Sequence, residues 1–447
     1  MRRRRSDYRG AEKSCLAAVV IAEWGLRDLE TDQDRLTWNR ESSTCYRMLV
    51  SARLHDSAPT AALELWESYK SAPLRSGHRP AILPPDNFSD LDRMPTLPPI
   101  DEVERHRTAL TKETVITFAL LPDQVVAWVF DDRGIRWHQL PGSADEVERT
   151  GDEFTRLCSD PRSELQDLRR NGQRLYDLLI LPLAPDLDPS RTLIVETDET
   201  IAGIPFAALV DDAGNYLGVR YRLVLSLSFD HMRNLRPSSQ VSPMTTALIV
   251  GGPALPKSLA DALPPLPDAV REAENISLQF TTPLLLTGKQ ASASTVLRLL
   301  PQAELFHFAG HALSSPVHSG LLLAPDNSIG SPESARLGPE KLNPALLRKC
   351  QVAVLSACAT GKDQYGEIGS AENIARSFLQ ARVPNVVASL WQIDSASTSN
   401  FMNAFYVRLL RGETVSESLR QTARDMREVH ATSHPYFWAA FEAFGRS

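Results

Sequence analysis

From Thr246 onward the chain repeats one pattern, a short apolar run followed by a helical one: Leu248 to Gly251, Ala269 to Phe280, Leu284 to Leu286, Ser292 to Leu300, and then Leu305-Phe306-His307-Phe308-Ala309-Gly310-His311. Strand then helix, repeated, confines the fold to a parallel sheet with helices on both faces. The remaining strands of this part are expected at Gly320 to Ala324, Val352 to Ala357, Val386 to Trp391 and Phe437 to Phe444.

Two of these runs end in reactive residues. His311 closes one, and Cys358 closes Val352-Ala353-Val354-Leu355-Ser356-Ala357-Cys358. Open parallel sheets gather reactive groups at the carboxyl ends of their strands, so neighbouring strands bring such residues together across a long sequence gap. A free thiol is mostly protonated at neutral pH and its thiolate is the nucleophile, so it needs a base, and His311 is the candidate. Gly310, Ala312, Ala357, Ala359, Thr360 and Gly361 leave room for a peptide to approach. The backbone amides of Ala312 and Cys358 are the candidate oxyanion donors.

These segments, followed by Gly369-Ser370-Ala371-Glu372 and Val386-Val387-Ala388-Ser389-Leu390-Trp391-Gln392-Ile393-Asp394, resemble the CHAT-domain proteins, relatives of caspases and separases. The resemblance runs from about Leu110 to the C-terminus. It implies a catalytic dyad of His311 and Cys358, and a caspase-like α/β fold whose mostly parallel sheet is flanked by helices. It also implies that residues 110–240 form a degenerate, inactive protease-like half and residues 241–447 the active one. The caspase histidine lies about 50 residues before its cysteine, much as here, but the caspase signature Q-A-C-[RQG]-G is absent, so caspase specificity does not transfer. Ser356 stands where caspase-like enzymes line their first specificity pocket. Trp391 and Asp394 follow a strand bordering the same groove, although core packing for Trp391 and a helix N-cap for Asp394 explain them equally.

His307 and His311 are four apart, a zinc spacing on a helix but not on an extended segment, so His307 reads as a packed strand residue and no metal is expected. No cofactor is required either. Cys15, Cys45, Cys158 and Cys350 read as structural, and five cysteines at irregular spacing make no disulfide framework. That usage suits a reducing compartment, hence the cytoplasm. The apolar stretch Leu16 to Ala22 is too short to span a bilayer. A net charge of -7 argues against a nucleic-acid-binding body. Arg2 to Arg5 are the exception, and a solvated tail is their plain explanation.

Residues 11–72 carry helical spacing, as in Ala61-Ala62-Leu63-Glu64-Leu65-Trp66, without a clear internal period. By resemblance, such helices receive an activating protein partner. Seven prolines between 73 and 100 exclude continuous helix or central strand, and residues 73–109 read as a linker. Strands follow at Thr114 to Leu120, Val125 to Phe130 and Ile135 to Leu140, the last two joined by Asp131-Asp132-Arg133-Gly134, a hairpin composition. Helix is expected from Ala144 to Leu181, and strand at Leu193 to Glu196 and Tyr221 to Leu225.

The resulting expectation is a cysteine endopeptidase acting on a specific protein substrate, regulated by a partner. A non-catalytic interaction scaffold, or a hydrolase of small amides, is the alternative the residues leave open.

Overall fold

The computed structural model describes residues 2–26, 28–29, 32–74, 101–263, 266–313, 319–326, 332–359, 371–391 and 393–446. Most of the Pro-rich stretch, together with Thr360, Gly361, Gly369, Ser370 and Gln392, lies outside the described residues.

The chain opens with α1 (Arg2–Leu26), α2 (Asp32–His55), α3 (Pro59–Ser71) and a short α4 (Glu102–His106). An antiparallel meander follows, β1 (Glu113–Leu120), β2 (Val125–Asp131) and β3 (Gly134–Leu140). Then come α5 (Ala144–Ser159), α6 (Leu165–Leu179), β4 (Thr192–Glu196), α7 (Leu217–Arg220), β5 (Arg222–Leu225) and α8 (Phe229–Arg233). The rest alternates as β6 (Ala247–Pro253), α9 (Lys257–Ala260), α10 (Pro267–Ser277), β7 (Leu284–Gly288), α11 (Ala293–Leu299), β8 (Leu305–Leu313), β9 (Gly320–Leu322), β10 (Arg336–Leu337) and β11 (Val352–Ala359). It closes with α12 (Ala371–Gln380), β12 (Asn385–Ser389), α13 (Ser395–Leu409), α14 (Val415–Glu428), α15 (Pro435–Trp438) and β13 (Phe441–Gly445).

Local chemistry sets many of these boundaries. The side chains of Ser143, Ser292, Asp394 and Thr414 each accept an N–H of the first turn of α5, α11, α13 and α14, satisfying donors that a helix start leaves unpaired. The β2–β3 hairpin turns between Asp131 and Gly134, which pair across the ladder, and Gly134 sits at φ 145°, where a Cβ is unfavourable. The expected strand Phe437 to Phe444 begins later. Pro435 and the imidazole of His434, which accepts the Tyr436 N–H, first start the short helix α15.

The described strands form one sheet of 13, ordered β10-β9-β8-β11-β12-β13-β5-β4-β1-β2-β3, with β6 pairing both β8 and β7. It is mixed α/β architecture with a mostly parallel central sheet flanked by helices. Strands β7, β6, β8, β11 and β12 run parallel. Strand β13 is antiparallel to β12 but parallel to β5, which continues parallel through β4 to β1. The sheet therefore holds two parallel runs of opposite polarity. Their carboxyl ends lie on opposite edges.

The N-terminal helices cover the carboxyl ends of β1 and β4. Trp66 of α3 donates its indole N–H to the Phe118 carbonyl at 3.0 Å, and Trp66, Tyr69 and Tyr46 form a buried aromatic cluster with centroids 5.2 and 4.8 Å apart. Glu64, Glu67 and Lys70 repeat at three-residue spacing, so they share one face of α3. Each serves a different element. Glu64 accepts the Val103 and Glu104 N–H groups at the start of α4, Glu67 accepts the Phe229 N–H at the start of α8, and Lys70 donates to Thr117 and Glu196. Burial, and then the Glu67 charge, push the Glu196 carboxyl well above the usual carboxylate range. Lys70, whose Nζ lies 3.4 Å from that carboxyl, pulls in the opposite direction.

Candidate active site

Strands β8 and β11 are parallel and in register from Leu305↔Val352 to Ala312↔Ala359 without a bulge. His311 and Cys358 are directly paired in that ladder. Their neighbours stop short of them. β6 follows β8 only to Gly251↔Ala309, and β12 follows β11 only to Leu355↔Ala388. Past Ala309, β8 instead takes β9 as an antiparallel neighbour through Ala312↔Leu321 and Leu313↔Gly320. The pair thus sits where flanking strands depart, which is how an open sheet makes a crevice at its carboxyl edge.

Alternation along β8 assigns the faces. Phe306 stacks on Phe378 of α12, with centroids 5.7 Å apart, so one face belongs to α12. His307 faces the other way, into α10 and α13, and His311, an even number of residues on, shares that face. His311 is buried, 7% exposed.

His307 is fully buried. Its Nδ1 lies 3.1 Å from the Tyr406 hydroxyl of α13, and its Nε2 stands 3.2 Å from Oε1 of Glu272 on α10. Burial, and secondarily the Glu272 charge, push the Tyr406 phenol well above its ordinary value. The phenol stays protonated, so its hydroxyl is able to donate to Nδ1. Neither Glu272 nor Tyr406 was marked by its sequence neighbourhood. Among the described residues no group of three or more His, Cys, Asp or Glu is placed to hold a metal ion.

The amides of Ala312 and Cys358 lie inside the β8–β11 ladder, which runs one residue past the pair. Ser356 is half-buried opposite Ala309. Trp391 is buried and donates its indole N–H to the Tyr436 carbonyl at 3.0 Å, while Asp394 is exposed and accepts the Ser397 N–H at 3.0 Å as the N-cap of α13. Arg2 to Arg5 lie within α1, at its N-terminus. Elsewhere, burial pushes the thiols of Cys15 and Cys350 up to about 12 and that of Cys158 well above its usual value. These sulfurs stay protonated and unreactive.

A model of the CHAT domain matches residues 169–446, more than half of the chain. The chain belongs to the CHAT-domain family. Among curated proteins this CHAT chain is 30% identical over 322 residues to tetratricopeptide repeat protein 28 of Mus musculus, covering 61% of this chain. It is 29% identical over 333 residues to the Homo sapiens protein of the same name, covering 64% of this chain. The CHAT chain spans 13% of the length of either relative. Among solved structures, the separase–securin complex of Saccharomyces cerevisiae superposes with a TM-score of 0.55 at 11% identity, over 95% of this chain and 36% of that one. That likeness is one of fold. No helix among the described residues is long and apolar enough to cross a membrane.

Proposed function

We propose that this CHAT chain is a cysteine endopeptidase in which Cys358 attacks a peptide carbonyl while His311 accepts the thiol proton and later delivers it to the leaving amine. Water then hydrolyses the thioester. The observation carrying this reading is the pairing of His311 with Cys358 at the carboxyl ends of adjacent parallel strands. Paired positions on neighbouring strands share a face about 4.8 Å apart, within reach of an imidazole and a thiol. The ladder around both residues keeps a carbonyl oxygen from the Ala312 and Cys358 amides until the strands part. An opening step at this edge suits an enzyme held silent until a partner binds.

Residues 241–447 then form the active half and 110–240 the inactive one. Ser356, Trp391 and Asp394 remain the candidates for the substrate groove, with Trp391 and Asp394 also serving the packing and capping roles described above. An activating partner would bind the N-terminal helices, at the edge opposite the dyad, so its signal must cross the sheet. The free thiols of Cys15, Cys45, Cys158 and Cys350 suit a reducing compartment, and the reading places the chain in the cytoplasm.

Co-expression with candidate substrates, comparing the wild type with Cys358→Ala and His311→Ala, tests this directly. Fragments made by the wild type and missing from both variants support the peptidase. Fragments that persist in both variants sink it and favour the scaffold.

A further inference from the structure

We propose that Ser389 is a positioning residue for Cys358, acting through the peptide group that joins Ala357 to Cys358. The inference rests on the dyad reading above. The β11–β12 register ends at Leu355↔Ala388. After that point β12 is drawn toward the opposite side, because Leu390 donates its N–H to the Ala440 carbonyl at 2.7 Å and Ser389 is paired with Phe441 of β13. The last turnless stretch of β11 therefore runs on beyond its ladder with β12. There the Ser389 hydroxyl reaches across and donates to the Ala357 carbonyl at 3.0 Å, in a site where Ser389 is 3% exposed.

That carbonyl shares a plane with the N–H of Cys358. Peptide planarity makes the two groups point in opposite directions, so holding one oxygen fixes the bearing of the other bond. With the Ala357 oxygen turned toward β12, the Cys358 N–H is turned toward β8, the strand of His311. The β8–β11 ladder holds this peptide plane from one side and Ser389 holds it from the other, so that when the strands part Ser389 keeps the bearing of the Cys358 amide, the one on this strand that an oxyanion would use. A tilt of this plane would alter both the amide and the approach of Cys358 to His311. Misplacements of about 1 Å at a reacting centre cost up to about 100-fold in rate.

The experiment compares Ser389→Thr, which keeps a hydroxyl, with Ser389→Val, which has the same shape without one. Site-resolved iodoacetamide labelling, followed by mass spectrometry from pH 6 to 9, reads the rate at Cys358, and the buried thiol of Cys350 reports unfolding. The expected result is labelling of Cys358 in the valine variant about 10-fold slower than in the threonine variant, with Cys350 protected in both and the threonine variant restoring the wild-type profile. Equal rates in the two variants overturn the inference while leaving the dyad standing, provided wild-type Cys358 reacts fast and His311→Ala slows it. If the valine variant exposes Cys350, Ser389 is a brace of the fold and the inference is also overturned. A wild-type Cys358 no faster than Cys45 removes the dyad reading itself, and the inference falls with it.

Discussion

Arg47 and Asp198 form a two-pronged ion pair, with Nη1 2.6 Å and Nη2 2.8 Å from the two carboxylate oxygens, between α2 and the loop after β4. The Asp198 side chain is fully buried and also accepts the Leu120 N–H at 2.9 Å. One carboxylate thus ties the N-terminal helices to the carboxyl ends of both β1 and β4.

Removing the arginine strands that carboxylate. Arg47→Ala is expected to destabilise the chain by about 3–5 kcal/mol, the usual cost of breaking a buried pair from one side. Arg47→Lys recovers only part, because an ammonium cannot match both oxygens. Urea unfolding followed by circular dichroism measures both. A loss under about 1 kcal/mol for alanine would show that the helices are held by packing alone.

Glu64, which holds the start of α4 against α3, makes that contact depend on pH. Burial pushes its carboxyl up to about 7, above the usual carboxylate value, with its two backbone hydrogen bonds pulling down and the Glu67 and Asp101 charges pushing up. A folded pKa above the unfolded one means stability fully present below about pH 4.5 and lost as pH rises through about 7. Between pH 5 and 8 the wild type should therefore lose on the order of 2 kcal/mol more than Glu64→Gln. Parallel pH dependence of the two unfolding midpoints would remove Glu64 from this role.

Gly251 lets α10 lie against β6. A Cβ there would stand 2.7 Å from the Ala269 carbonyl oxygen and collide with the Ala273 methyl group. Both belong to α10, whose backbone cannot yield without moving Glu272. Gly251→Ala is expected to cost about 1–3 kcal/mol, read as a lowered Tm in calorimetry. An unchanged Tm would mean that the helix shifts freely.

The Glu272–His307–Tyr406 chain should show unequal losses. Tyr406→Phe removes one hydrogen bond, at a cost of about 1–2 kcal/mol. His307→Ala leaves the Glu272 carboxylate buried without its imidazole and should cost about 3–5 kcal/mol. His307→Ala combined with Glu272→Gln should recover part of that loss, and a double-mutant cycle in urea measures the coupling. Additive losses would show that the carboxylate and imidazole do not depend on each other.

Much of the architecture was legible because strands and helices announce themselves locally. Thr114 to Leu120, Leu193 to Glu196 and the Leu305 run are compact apolar segments of strand composition, and each is found as strand, at β1, β4 and β8. The Asp394 cap was equally readable, since an N-cap needs only its own first turn. Segments whose state depends on partners were not. Residues 102–106 sit within the stretch read as linker, yet form α4, whose start is held by Glu64 from 39 and 40 residues away. Glu64, Glu67 and Lys70 resemble any solvated helix face in sequence, and only the elements packed against them make them a buried clasp.

Periodicity and turn chemistry in the chain alone decided which of the main segments are strand and which helix, α4 and the start of the last strand excepted, along with the residue types at the ends of β8 and β11. Tertiary structure decided their register, the reversal of polarity between the two parallel runs, and therefore which residues meet at each edge. Strand and helix identity follow from contacts within a few residues. A turn pins register only in a hairpin such as β2–β3; between strands joined by long crossovers the apolar pattern fixes which face is buried, and the packing of the covering helices fixes which residues stand opposite.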